Sequence, residues 1–203
     1  MNLKLFLLLI FSSIGICPVF SQSKTSSSIT IGKTPEAKFS FTKNWGYKWN
    51  ILKHNDGKFE NIYGKQIQPA DTAHLYHTAN CQTNVQGGYN LSYCNATKKD
   101  GTIELIFTGG QPAYGSEYKV SLKNNKIYFD PDIVYEEIIE NATMAYKITK
   151  SKLIFNQKSY NTAQALSGYI NIEFNEVASL PKRKPVIHQY HLRGYFKTPV
   201  KSE

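Results

Sequence analysis

In Ile170-Asn171-Ile172-Glu173-Phe174-Asn175, apolar and polar side chains alternate without a break, and this period of two is the strongest constraint on the fold. Successive side chains take opposite sides in an extended strand, so such a segment buries one face and wets the other. The pattern recurs at Trp45, Tyr47, Trp49 and Ile51, and at Tyr118, Val120 and Leu122. Ile103–Thr108, Ile127–Phe129, Tyr146–Phe155 and Val186–Phe196 are further strand-like runs. Turn chemistry separates them. Asn55-Asp56-Gly57 and Asn124-Asn125 supply residues that tolerate positive φ, and Gly109-Gly110 ends another run. Sustained 3.6-residue periodicity is scarce. Eight or nine short strands at this spacing predict an all-β chain, an antiparallel β-sandwich or barrel, with one or two short helices. The helix candidates are Pro69–Thr78, with Asp71 as N-cap, and Asp132–Ala142, where Glu136 and Glu140 lie one turn apart.

One domain is expected over residues 37–203. Ahead of it, Met1-Asn2-Leu3-Lys4 is basic, Leu5–Phe11 is wholly apolar and Ser12–Ser21 is small and turn-prone. That is the layout of a signal peptide over residues 1–21, too short to span a bilayer, with cleavage before Gln22. Serine-rich residues 22–36 read as a flexible lead-in. The expectation is export to the periplasm or medium, with no transmembrane segment in the mature chain. A lipid anchor at Cys17 is the alternative, but Ile16 stands where the lipoprotein peptidase requires a small residue. Cleavage removes one of the 24 lysines and arginines and none of the 15 acids, leaving +8. Such a balance favours an acidic glycan, lipid or protein partner, and export argues against nucleic acid.

The candidates for chemistry are few. His74-Leu75-Tyr76-His77 and His188-Gln189-Tyr190-His191 both have H-x-x-H spacing. On a strand, residues three apart face opposite ways, so His188 and His191 are not expected to share an ion. His74 and His77 could share a face only on a helical turn, and the H-E-x-x-H signature is absent. No metal or other cofactor is assigned. Cys81 and Cys94 bound a loop containing Gly87-Gly88 and, in an oxidising compartment, are expected to form a disulfide worth about 3 kcal/mol. Asp130, Asp132, Glu136, Glu137 and Glu140 are a local cluster that could supply the paired carboxylates of a glycoside hydrolase. Asp130-Pro131-Asp132 also reads simply as a turn, and no catalytic residue is assigned. There is no G-x-S-x-G elbow. Lys182-Arg183-Lys184, between Pro181 and Pro185, should project between the last two strands, with His191 and Arg193 continuing along one face. Those five residues are the predicted contact for an acidic partner. Trp45, Tyr47 and Trp49 would fill a core or stack on a sugar.

The segments Leu166-Ser167-Gly168-Tyr169-Ile170 and Leu192-Arg193-Gly194-Tyr195-Phe196, with the serine before glutamine at the leader junction, resemble exported β-rich proteins of Bacteroidota. The resemblance covers about 30 residues. It implies export and a β fold, without an activity, and under it Asp71-Thr72-Ala73 is similar to the O-glycosylation pattern of that phylum. The lipocalin entry motif is not met, because Gly46-Tyr47-Lys48-Trp49 is one residue too long for G-x-W. The functional expectation is therefore a non-enzymatic exported domain with an acidic partner. A polysaccharide hydrolase using the Asp130–Glu140 carboxylates and a calycin-like barrel holding an apolar small ligand are the alternatives.

Overall fold

The computed structural model describes residues 24–25, 28–46, 50–68, 71–109, 116–124, 126–135 and 141–202. Three strong alternating runs become its three longest strands, β11 (Thr143–Phe155), β12 (Ala165–Ser179) and β13 (Val186–Ser202). The chain is all-β. Before these strands come β1 (Lys24–Thr25), β2 (Ser28–Ile31), β3 (Ile51–Lys53), β4 (Phe59–Asn61), β5 (Ala79–Thr83) and β6 (Tyr89–Leu91). They are followed by β7 (Tyr93–Lys99), β8 (Thr102–Thr108), β9 (Glu117–Lys123) and β10 (Lys126–Asp132).

Among the described residues, eleven strands form one sheet, in the order β1-β10-β9-β8-β7-β13-β12-β11-β2, with β5 and β6 branching from β13. The small β3–β4 hairpin stands apart. β13 belongs to both halves of the sheet. It pairs antiparallel with β12 and β5, then runs parallel to β7 through Val200–Ser202. At the other seam, β1 pairs with β10 and β2 with β11, so one N-terminal segment joins the two ends of the sheet. The result is nearly a closed barrel. Residues 24–25 and 28–31, read from sequence as part of a lead-in, are strands of that seam. Their ladder hydrogen bonds come from neighbours that no local pattern announces.

Alternation fixes the inside. On β12, Leu166, Ile170, Ile172 and Phe174 are buried, and β13 contributes Leu192, Phe196 and Val200 from across the pair. Two aromatic groups fill the barrel. Phe174 lies 4.9 Å from Phe129 and 5.8 Å from Tyr190, centroid to centroid, and Phe196 lies 5.5 Å from Phe107 and 6.0 Å from Phe155. Burying each such ring is worth about 1.5–3 kcal/mol. Curvature needs close backbone approach at Gly168 and Gly194. A Cβ on Gly168 would overlap the Ile154 carbonyl oxygen, and one on Gly194 would overlap Asn80 and Cys81 backbone atoms.

Helical content is low, as expected for this all-β chain. Within Pro69–Thr78, Ala73–Leu75 forms a 3-10 turn and residues 69–70 lie outside the described residues, while Asp132 ends β10 and Glu136–Glu140 also lie outside them. A 3-10 segment at Glu36–Lys43 carries no amphipathic signal strong enough to read. It is held by Phe39 edge-on to Tyr195 at 6.5 Å and by Lys197 on Glu36 at 2.5 Å.

Candidate functional site

The outward positions of β11, β12, β13 and β5 form a face with a consistent chemistry. Register places Lys152, Asn171, Arg193 and Gln82 in one row across four strands. The next row is Lys150, Glu173 and His191, and the one after it Lys147, Asn175 and Gln189. At strand spacing, the first row spans about 14 Å and the rows lie about 7 Å apart. A β-bulge makes this possible. The register shifts between Ile148 and Lys150, so Thr149 is the extra residue, Ile148 stays inward and the lysines on either side stay outward. Without it, one of Lys147 and Lys152 would face the core.

Glu173 is the one acid in these rows, and Lys150 holds it at 3.2 Å. Lys147, Lys152 and Arg193 have carboxamides, not acids, opposite them. Asn171 Oδ1, between Lys152 and Arg193, is buried and has no hydrogen-bond partner among the described residues. The face ends at Asn84, whose Oδ1 accepts from the His191 amide at 2.8 Å and whose Nδ2 donates to the Gln189 carbonyl at 3.1 Å. Burial, and then the charge of Arg193, lower the pKa of His191 against the pull of Glu173. Its ring therefore enters the face as a neutral donor and acceptor at neutral pH. An array of cations and amides suits a partner rich in carboxylates and hydroxyls.

The five residues expected to act together are split. His191 and Arg193 lie in this face. Lys182, Arg183 and Lys184 sit in the exposed β12–β13 turn, closed by the Arg183 amide donating to the Leu180 carbonyl at 3.2 Å. Between them runs the apolar row Ala145, Val177 and Ile187, and Ile187 alone is about 20 Å along the strand from Arg193. The lysines of β11 take the place of the turn cations. They are contiguous with Arg193 only through cross-strand register.

A second constellation lies inside the barrel. Glu176 follows Phe174 in the inward series of β12 and is 1% exposed. Its Oε2 accepts from the Tyr135 hydroxyl, and its Oε1 lies 3.3 Å from His188 Nδ1. Burial, reinforced by this carboxylate, raises the pKa of Tyr135, Tyr146 and Tyr190, which keeps all three phenols protonated as donors. The network ties β12 to β13 and to the segment after β10. Continued one step past Phe174, the period of two puts a carboxylate at a core position, and that was the available signal.

Other candidates separate. His188 lies on the Glu176 side of β13 and His191 on the outer face. His77 packs edge-on to Tyr93 at 5.5 Å, and burial lowers its pKa. His54 pairs with Glu60 at 2.9 Å. Among the described residues, no three His, Cys, Asp or Glu side chains are grouped to hold a metal. Asp130 and Asp132 are exposed on β10, while Glu136, Glu137 and Glu140 lie outside the described residues. Trp45 packs edge-on to Phe59 at 5.6 Å beneath Lys53, and Tyr47 and Trp49 also lie outside the described residues.

In place of the expected disulfide, Cys81 and Cys94 are free buried thiols. Leu91 and Gly194 stand opposite Cys81, and Phe107 stands opposite Cys94, so the two are not cross-strand partners. Cys81 Sγ contacts the Tyr195 carbonyl at 3.5 Å, and the link between the segments is Thr78 Oγ1, bonded to the Cys94 amide at 2.7 Å. Cys81 nonetheless lies near enough to Cys94 to raise its pKa further. Burial pushes both thiols well above their ordinary pKa, which suppresses the reactive thiolate. Native protein should therefore resist iodoacetamide, and both cysteines should be labelled after unfolding without reductant. Peptide mass mapping that finds both unlabelled in the unfolded, unreduced chain would establish a bridge instead.

Comparison with protein-family models, with curated proteins and with solved structures returned no match.

Proposed function

We propose that the chain is an exported, non-enzymatic domain that binds an acidic glycan across the outer face of β11, β12, β13 and β5. The observation that carries this reading is the row Lys152–Asn171–Arg193–Gln82, flanked by Lys147 and Lys150. A uronate polymer offers carboxylates to the cations and hydroxyls to the carboxamides. The leader over residues 1–21 supports export, where such polymers are met.

Binding should be electrostatic in part, so it should weaken as the Debye length falls from about 10 Å at 0.1 M salt to about 3 Å at 1 M. The test is calorimetric titration with polygalacturonate, with neutral dextran as the control. Each exposed contact contributes about 0.2–1 kcal/mol. Joint substitution of Lys147, Lys152 and Arg193 by alanine should therefore weaken polygalacturonate binding by about threefold to about 100-fold. These side chains lie outside the core, so the variant should melt as the wild type does. A folded triple variant with undiminished affinity would remove the face from consideration.

A further inference from the structure

The barrel has an end remote from Glu176, and it is open there. Where β2, β8, β9 and β11 reach this end, a cavity of about 480 Å³ lies between them. That volume falls in the range of about 300–1,000 Å³ typical of small-molecule sites. Its floor is apolar, made by Ile29, Ile103, Leu122 and Phe155. Leu122 and Phe155 are buried core residues, and Ile29 and Ile103 are only partly buried against them. Contiguous aliphatic surface is thus left facing a space large enough to fill.

The rim is polar and of one sign. Lys158 and Gln157 line it too, and among the described residues the lining holds no acidic side chain. The rim segment is also held in place. The Tyr160 hydroxyl donates to Asn156 Oδ1 at 2.6 Å and accepts from the Gln157 amide at 3.0 Å. Asn156 Oδ1 also accepts from the Ser167 amide at 3.1 Å, and Lys98 Nζ donates to the Tyr160 carbonyl at 2.8 Å. The lysine at the mouth therefore stands on a segment fastened to β7 and β12. Preorganisation of this kind lowers the ordering cost of binding.

We infer that this cavity binds a small amphiphile with an aliphatic body and a single anionic head. The body lies on the Ile29, Ile103, Leu122 and Phe155 floor, and the head meets Lys158. The site is at the end of the barrel, distinct from the outer face, and the inference does not depend on glycan binding.

Decanoate and decanol, titrated calorimetrically against the mature chain below their micellar range, separate the two parts of the site. Wild type should bind decanoate saturably at one site. Lys158→Ala should weaken decanoate about tenfold, the scale of one charge-assisted contact, and leave decanol unchanged. Ile103→Trp, which fills the floor, should abolish binding of both while the protein still melts cooperatively. Absence of saturable decanoate binding by the wild type would overturn the inference, as would a folded Ile103→Trp variant that binds normally. Equal weakening of both ligands by Lys158→Ala would overturn the role of the head group. Loss of decanoate binding on substituting Lys147, Lys152 and Arg193 would place the ligand on the outer face and overturn the cavity site.

Discussion

Gly194→Ala should cost roughly 3 kcal/mol, the upper end of the usual overpacking range. In a chain of this size that lowers the melting temperature by roughly 6–12 °C. The added methyl meets backbone, namely the Asn80 carbonyl oxygen and the Cys81 Cα on β5, and neither can rotate away as a side chain would. Relief requires β13 and β5 to separate where Gly194 faces Cys81, within the ladder that also positions Arg193 and Gln82. The polygalacturonate affinity of any folded fraction should fall with it. Gly57→Ala is the control. Gly57 sits at φ +85° in the β3–β4 turn with nothing within 4 Å of the added carbon, so its cost is the left-handed backbone term of about 1–2 kcal/mol. Circular-dichroism melts of the two variants separate steric closure from backbone preference. Equal losses would show that β13 and β5 do not need their close approach.

Phe174→Ala should be at least as damaging, at about 3–5 kcal/mol, because it removes a ring and leaves a cavity that barrel walls cannot collapse to fill. Phe174 is 1% exposed and touches Phe129, Tyr118, Tyr146 and Tyr190. Two of those tyrosines also bear on Glu176. The substitution thus loosens the wall of the buried carboxylate as well as the core. Tyr63→Ala, at a side chain 81% exposed, should change stability by no more than about 0.5 kcal/mol. Guanidinium unfolding of both variants gives the comparison, and a Phe174→Ala loss near 1 kcal/mol would mean that the aromatic cluster repacks freely.

The strands were legible where one face is buried and the other wet. Ile170, Ile172 and Phe174 announced β12 because each inward step meets apolar neighbours, and Tyr118, Val120 and Leu122 announced β9 for the same reason. The hairpin turns were legible because positive φ selects few residue types, and Gly57 and Asn124 both adopt it. The Lys182–Lys184 turn was legible from its bounding prolines. The seam strands Lys24–Thr25 and Ser28–Ile31 were not, since their polar sequence matches an unstructured lead-in and only partners far along the chain give them order. The cysteines show the same division: loop length reports that two residues can meet, while their state, two free buried thiols in the structure, is not written in that length.

The candidate site divides along the same line. His191 and Arg193 could be paired from sequence because they are two apart on one strand. Lys147 and Lys152 could not be joined to them, because the bulge at Thr149 and the β11–β12–β13 register are set by long-range hydrogen bonding. By itself the sequence determined the alternation, hence the long strands and their buried sides, because those follow from a local period and the cost of wetting apolar surface. Only the tertiary structure decided that the sheet nearly closes, that four strands lay cations and carboxamides in rows, and that a cavity opens at one end. Those outcomes depend on which distant strand supplies each backbone hydrogen bond, and that choice is made by the whole chain at once.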